Sequence, residues 1–118
     1  MKQFLYEPNA AVMKSGAFRL VSEYFKLDKL DINTHLYTSN TKIKNFPGKI
    51  YKIISTHNYN KKSIRQIITG HKANLKTRNF PEKTEKLKKL FKISDGGENY
   101  LFFTSNLKNK IVIDCQLA

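Results

Sequence analysis

The clearest alternation of apolar and polar positions in the chain lies between Lys72 and Arg78. Ala73, Leu75 and Thr77 fall on one side and Lys72, Asn74, Lys76 and Arg78 on the other, the period-two pattern of a half-buried strand. Upstream, Lys49 to Thr56 carries Ile50, Tyr51, Ile53 and Ile54, and its β-branched content predicts a second strand. Between the two, Asn60 is placed to cap a helix that Gly70 ends. In that helix Ile64, Ile67 and Ile68 are expected to face inward, with Lys61, Lys62 and Arg65 outward. Pro81 precedes another helix, with Leu87, Leu90 and Phe91 on its inner side. Asp95-Gly96-Gly97 is a turn, and Asn99 to Ser105 pairs with Lys110 to Leu117 as a hairpin around Asn106 to Asn109.

These elements run βαβαββ over residues 49–117. Right-handed crossovers make the first two strands parallel and put both helices on one face of a four-stranded mixed sheet, an α+β fold of two layers. The section before it reads as helical. Pro8 suits a first helical turn, Ala10 to Met13 follow, and Gly16 is a plausible C-cap. Ala17, Leu20, Val21, Tyr24 and Phe25 then form a helical stripe. Asp28, Asp31, Asn33, Asn40, Asn45 and Pro47-Gly48 mark turns, with a short strand near Leu36-Tyr37. The strand Tyr100-Leu101-Phe102-Phe103 is apolar on both faces. One face must pack on the helices; the other either stacks bases or lies beneath residues 1–41. Burial is the expectation, because the N-terminal helices must also place their apolar stripe.

Charge divides the chain. Twenty-two Lys and Arg face nine Asp and Glu, a formal +13, and such a surplus repels itself unless it meets a polyanion. Nucleic acid comes first and an anionic membrane surface second, while a Lys-heavy chain also arises from genome base bias. Residues 1–41 are close to neutral, so nearly all the surplus belongs to residues 42–118. We therefore read 1–41 as a helical section coupling to a catalytic domain and 42–118 as the basic domain. The single cysteine, Cys115, lies in an apolar run where burial is expected, and one cysteine allows no internal disulfide. Neither a membrane span nor a secretory leader is legible, and the chain reads as cytoplasmic.

Five short motifs then acquire meaning together. Tyr6-Glu7-Pro8-Asn9-Ala10-Ala11-Val12-Met13-Lys14-Ser15-Gly16-Ala17-Phe18 resembles the segment that follows the catalytic domain in a family of bacterial class I SAM-dependent methyltransferases. Asn33-Thr34-His35-Leu36-Tyr37-Thr38-Ser39, Phe46-Pro47-Gly48, Arg78-Asn79-Phe80-Pro81 and Asp95-Gly96-Gly97 resemble the same family's C-terminal THUMP-like domain, in order and at matching spacings. The resemblance implies a domain that binds or positions a structured RNA, such as tRNA or rRNA, for a methyltransferase domain in cis or in trans. The family is often of the Bacteroidetes type. It also implies either a fragment starting at Met1 or a stand-alone version, since the family's catalytic domain precedes this region.

The residues themselves carry no catalytic pattern. The five glycines form no G-x-G, and Asp95-Gly96-Gly97 follows a helix rather than a strand, the wrong order for a phosphate-binding loop. SAM is thus expected only in an attached or partner domain, with no cofactor in this chain. His35, His57 and His71 stand far apart with no metal-ligand spacing, so no metal site is expected. Glu82, Glu85, Asp95 and Glu98 sit among lysines and read as surface ion pairs. For RNA, the candidates are Lys61, Lys62 and Arg65 on the first helix and Lys72, Asn74, Lys76 and Arg78 on the polar face of the strand. Lys76 and Arg78 stand out because a sheet face seldom gathers like charges without a counter-charge. The alternative is a protein-interaction role in docking a methyltransferase, the charge being incidental.

Overall fold

The computed structural model describes residues 2–16, 18–31, 34–106 and 108–118. Ala17 of the expected helical stripe, the turn marker Asn33 and one residue of the hairpin loop, Leu107, lie outside them.

One seven-stranded mixed sheet organises these residues, where four strands were expected. Its strands are β1 (Phe4–Pro8), β2 (Asp28–Asp31), β3 (Thr34–Ser39), β4 (Gly48–Asn58), β5 (Asn74–Arg78), β6 (Asn99–Ser105) and β7 (Lys110–Leu117), in the order β2-β3-β1-β4-β7-β6-β5. The expected βαβαββ run is its second half. There β5 and β6 are parallel and the other pairings antiparallel, so β4 and β5 do run the same way, although two strands separate them.

The N-terminal section is not simply helical. Helices α1 (Ala10–Ser15) and α2 (Phe18–Phe25) are present, but β1 precedes them and β2 and β3 follow. Pro8 ends β1 instead of opening a helix, and Asn9 caps α1 by accepting a bond from the Val12 amide, with Gly16 at the C-cap as expected. Strand β1 hides in the sequence because both its faces are covered: Leu5, Tyr6, Glu7 and Pro8 are all buried, so no alternation appears. Strand β2 hides for the opposite reason. It is an edge strand with an aspartate at each end, and those aspartates read as turn markers.

Three apolar clusters follow from this arrangement. Helices α3 (Lys61–Ile68) and α4 (Thr84–Phe91) pack Ile64, Ile68, Leu87 and Phe91 against Leu101, Phe103 and Val112 on one face of the second half. Ile67 departs from the expectation: it is 41% exposed, because α3 turns only one narrow stripe to the sheet. On the first half, Val21 and Leu27 meet Tyr6, Tyr37 and Phe46. The third cluster needs no helix. Leu5, Leu36, Tyr51, Phe102, Ile111, Ile113 and Cys115 come from both halves and cover one another.

A flat sheet could not do this. Strand β5 lies four places from β1, about 19 Å at ordinary strand spacing, yet side chains of the two strands touch. The sheet therefore coils so that its two halves face each other across the third cluster. The expected burial of the second aromatic face occurs, but strands β1 and β3 cover it, not the N-terminal helices.

Strand β4 serves both halves. Its first residues, Gly48 to Lys52, pair with β1, and Tyr51 to Asn58 pair with β7. A bulge between Ile53 and Ser55 shifts the register of β4 against β7, and Ile54 within it is 53% exposed. At its start, Gly48 admits no side chain: a Cβ there would stand 2.1 Å from the Glu7 carbonyl oxygen and 2.9 Å from the Pro8 Cα. Gly48→Ala should therefore destabilise the chain by about 1–3 kcal/mol, the cost of overpacking against backbone, seen as a lower urea midpoint. An unchanged midpoint would mean that β1 and β4 can separate freely.

Candidate nucleic-acid interface

The seven basic and polar residues singled out in the sequence divide into three settings. Lys61, Lys62 and Arg65 project from the exposed side of α3, whose N-cap Asn60 accepts bonds from the Lys62 and Ser63 amides. With Gln66 and Thr69 they line a shallow surface depression of about 510 Å³. These three cations are brought together, and no acidic side chain lines the depression among the described residues.

Lys72 stands apart, exposed beside an isolated bridge to Ser94, with its aliphatic stem lying along Gly96 and Gly97. Asn74 has a structural occupation. Its side-chain amide donates to the carbonyl oxygens of Gly97 and Asn99, at 3.0 and 3.2 Å, and so fastens β5 to the turn before β6.

Lys76 and Arg78 occupy the concave side of the coiled sheet, where they meet the missing counter-charge. Glu7 on β1 is buried, its side chain only 7% exposed. Its Oε1 accepts from Lys76 Nζ at 2.8 Å and from the Tyr51 hydroxyl at 3.0 Å, and its Oε2 accepts from Arg78 Nη2 at 2.5 Å. A buried carboxylate persists when its lone pairs are filled by such charge-assisted bonds. Burial and the adjoining Glu7 carboxylate push the Tyr51 hydroxyl's pKa well up, so it stays a neutral donor. Lys76 Nζ also lies 5.9–6.0 Å from the ring centroids of Tyr51, Tyr100 and Phe102, at the edge of cation–π range.

Sequence reasoning missed Glu7 and Tyr51 because they are far from β5 along the chain. A signal existed: an acidic residue between Phe4-Leu5-Tyr6 and Pro8, in an otherwise apolar stretch, demands a cation once buried. Lys76 and Arg78 keep partial exposure, 26% and 36% of their side chains. With Glu7, Pro8, Asn9, Ala10, Gly48 and Lys49 they line a cleft of about 300 Å³ between the two halves, and Arg78 Nη1 also donates to the Thr77 carbonyl at 2.8 Å.

Elsewhere, Lys88 pairs with Asp95 at 2.9 Å, in keeping with the surface ion pairing expected there. Among the described residues no group of three or more His, Cys, Asp or Glu could hold a metal, and no helix is long and apolar enough to cross a membrane.

Residues 48–116, more than half of the chain, match the family model of a THUMP domain-like domain. The chain belongs to the THUMP-like family. Residues 4–47 match the model of a ferredoxin-like domain, and β1, the two short helices, β2 and β3 all lie within that range. The chain is also similar to a crystal structure of a protein described as a "putative methyltransferase" from Porphyromonas gingivalis W83, at 30% identity with a TM-score of 0.93. The match covers 100% of this chain and 30% of that one, so the THUMP-like chain spans less than a third of the longer protein. No curated protein matches it.

Two predictions follow from the buried groups. Glu7→Gln should cost about 1–3 kcal/mol, because Lys76 and Arg78 lose a charged acceptor but reach solvent. Lys76→Gln with Arg78→Gln should cost more, about 3–5 kcal/mol, because it strands a buried carboxylate. Thermal melts that rank the two the other way would show that Glu7 is not the desolvated partner. For Cys115, burial pushes the thiol pKa from 9.0 up to about 12, with the neighbouring Asp114 and Glu7 acting in the same direction. A raised folded-state pKa means that this group's contribution to stability is complete below about pH 9 and is lost as the pH rises towards 12. Iodoacetamide at pH 8 should accordingly leave the native chain unlabelled while modifying the unfolded chain; fast native labelling would contradict the burial.

Proposed function

We propose that this chain is an RNA-binding accessory domain that positions a structured RNA, such as tRNA or rRNA, for a SAM-dependent methyltransferase domain in cis or in trans. The observation that carries the reading is the exposed trio Lys61, Lys62 and Arg65, gathered without an acidic partner on a THUMP-like fold of net charge +13. Contacts from such side chains go to phosphates: they fix position and contribute affinity by releasing counterions, without reading sequence. The reading assigns no catalytic residue to the chain and places SAM in the methyltransferase domain. Its location is cytoplasmic. Lys72 extends the phosphate-facing set, whereas Asn74 contributes by holding β5 in place.

The likeness to the Porphyromonas gingivalis protein supports the methyltransferase link. A second reading, a protein-interaction role in docking a methyltransferase, draws on one feature. Leu20 and Tyr24, one turn apart on α2, are 68% and 81% exposed. That apolar pair suits a protein contact better than a phosphate backbone.

The two readings differ in one titration. The wild-type chain should bind a folded RNA more tightly than an unrelated protein of equal charge, with affinity falling steeply as salt rises. Lys61→Gln, Lys62→Gln and Arg65→Gln together should weaken binding and reduce the slope of log K against log salt by about 2–3, the number of phosphate contacts removed. Fluorescence anisotropy at several salt concentrations checks both. Affinity no greater than the control protein's would favour the docking reading.

A further inference from the structure

The cleft between the two halves has a chemistry of its own. Its walls are Glu7, Pro8, Asn9 and Ala10 from the first half and Gly48, Lys49, Lys76 and Arg78 from β4 and β5. Lys49, Lys76 and Arg78 supply three positive charges against the single negative charge of Glu7, which leaves the cleft with a net +2. Glu7 is deeply buried, and it holds Lys76 at 2.8 Å and Arg78 at 2.5 Å. It therefore acts as an internal anchor that fixes the direction of both cations without cancelling them. Cations held in place lose little rotamer freedom on binding, which favours an anionic ligand over the same charges on flexible surface lysines. The cleft's volume, about 300 Å³, sits at the small end of ligand sites. That is more room than a simple inorganic anion needs.

We infer that this cleft receives one phosphate-bearing nucleotide unit, with its phosphate against Lys49, Lys76 and Arg78. The site deepens the RNA reading, since it gives one nucleotide of the bound RNA a defined place, separate from the diffuse phosphate contacts of α3. Lys76 and Arg78 then have two duties: inward to Glu7 and outward to the ligand.

The test uses the whole chain and adenosine 5′-monophosphate, with adenosine as the uncharged comparison, followed by amide chemical shifts. Saturable shifts are expected at Asn9, Ala10, Lys49 and Arg78 with the monophosphate and not with adenosine. Lys49→Gln, an exposed change that leaves the Glu7 cluster whole, should weaken the monophosphate by roughly five- to tenfold. Arg78→Lys, which keeps a cation for Glu7, should weaken it by a similar factor while the chain stays folded. The triple α3 variant should leave it unchanged. Shifts that are absent, equal for adenosine, or centred on α3 and lost in the triple variant would overturn the site. The two readings fail separately. If the nucleotide fills the cleft but RNA binds no better than to a basic control protein, the RNA reading falls and the site stands. If RNA binds and the cleft amides stay silent, the reverse holds.

Discussion

The single carboxylate of Glu7 is the constraint around which the molecule closes. An ionised group buried this deeply must be paired; Tyr51 reaches it from the neighbouring β4, but Lys76 and Arg78 lie on β5, which a flat sheet would keep well away from β1. Satisfying Glu7 therefore requires the coil. The coil in turn is what lets Leu5 and Leu36 cover Phe102, Ile111 and Ile113 without an additional layer of helices. Next to it along the same seam, neutral groups do the equivalent work. The Thr34 hydroxyl donates to the Ser105 carbonyl at 2.9 Å, and the Asn79 amide donates to the Thr34 hydroxyl at 3.0 Å. An ionic clasp and a hydroxyl–amide clasp thus hold the two halves at two points.

This arrangement changes the meaning of the basic residues. By composition alone all the cations look alike. In the structure, those on α3 are free to meet a partner with little internal consequence, while Lys76 and Arg78 are part of the fabric that keeps the sheet coiled. A charge change at α3 acts on binding first. A charge change at Lys76 and Arg78 acts on folding first, and a loss of RNA affinity there could not be assigned to a lost contact without a stability measurement beside it.

The legibility of the sequence followed how many faces of each element are covered. From β4 onward the elements and the hairpin could be read, because the strands show β-branched, aromatic or alternating runs bounded by turn residues and each helix shows one apolar stripe. The alternation at Lys72 to Arg78 put Lys76 and Arg78 on a common face, as the structure has them. The first third resisted for physical reasons. Strand β1 is covered on both sides, and β2 is short, polar and at an edge, so neither shows an alternation. Pro8 suggested a first helical turn, but the helix opens only at Ala10, and the strand that Pro8 closes left no separate mark. The candidate site was legible where it is local, as at Lys61, Lys62 and Arg65. It was illegible where it depends on Glu7 meeting residues on the far edge of the sheet.

Strand β4 has one more consequence. Because the same strand is hydrogen-bonded into both halves, no flexible linker lies between them, and turning one against the other would tear a ladder of main-chain bonds. The molecule behaves mechanically as a bracket, not a hinge. Anything fixed to the first half is held at a set distance and angle from anything gripped by the second. In the RNA-binding role proposed above, such a bracket would serve as a ruler, setting the distance between the gripped polymer and whatever the first half carries.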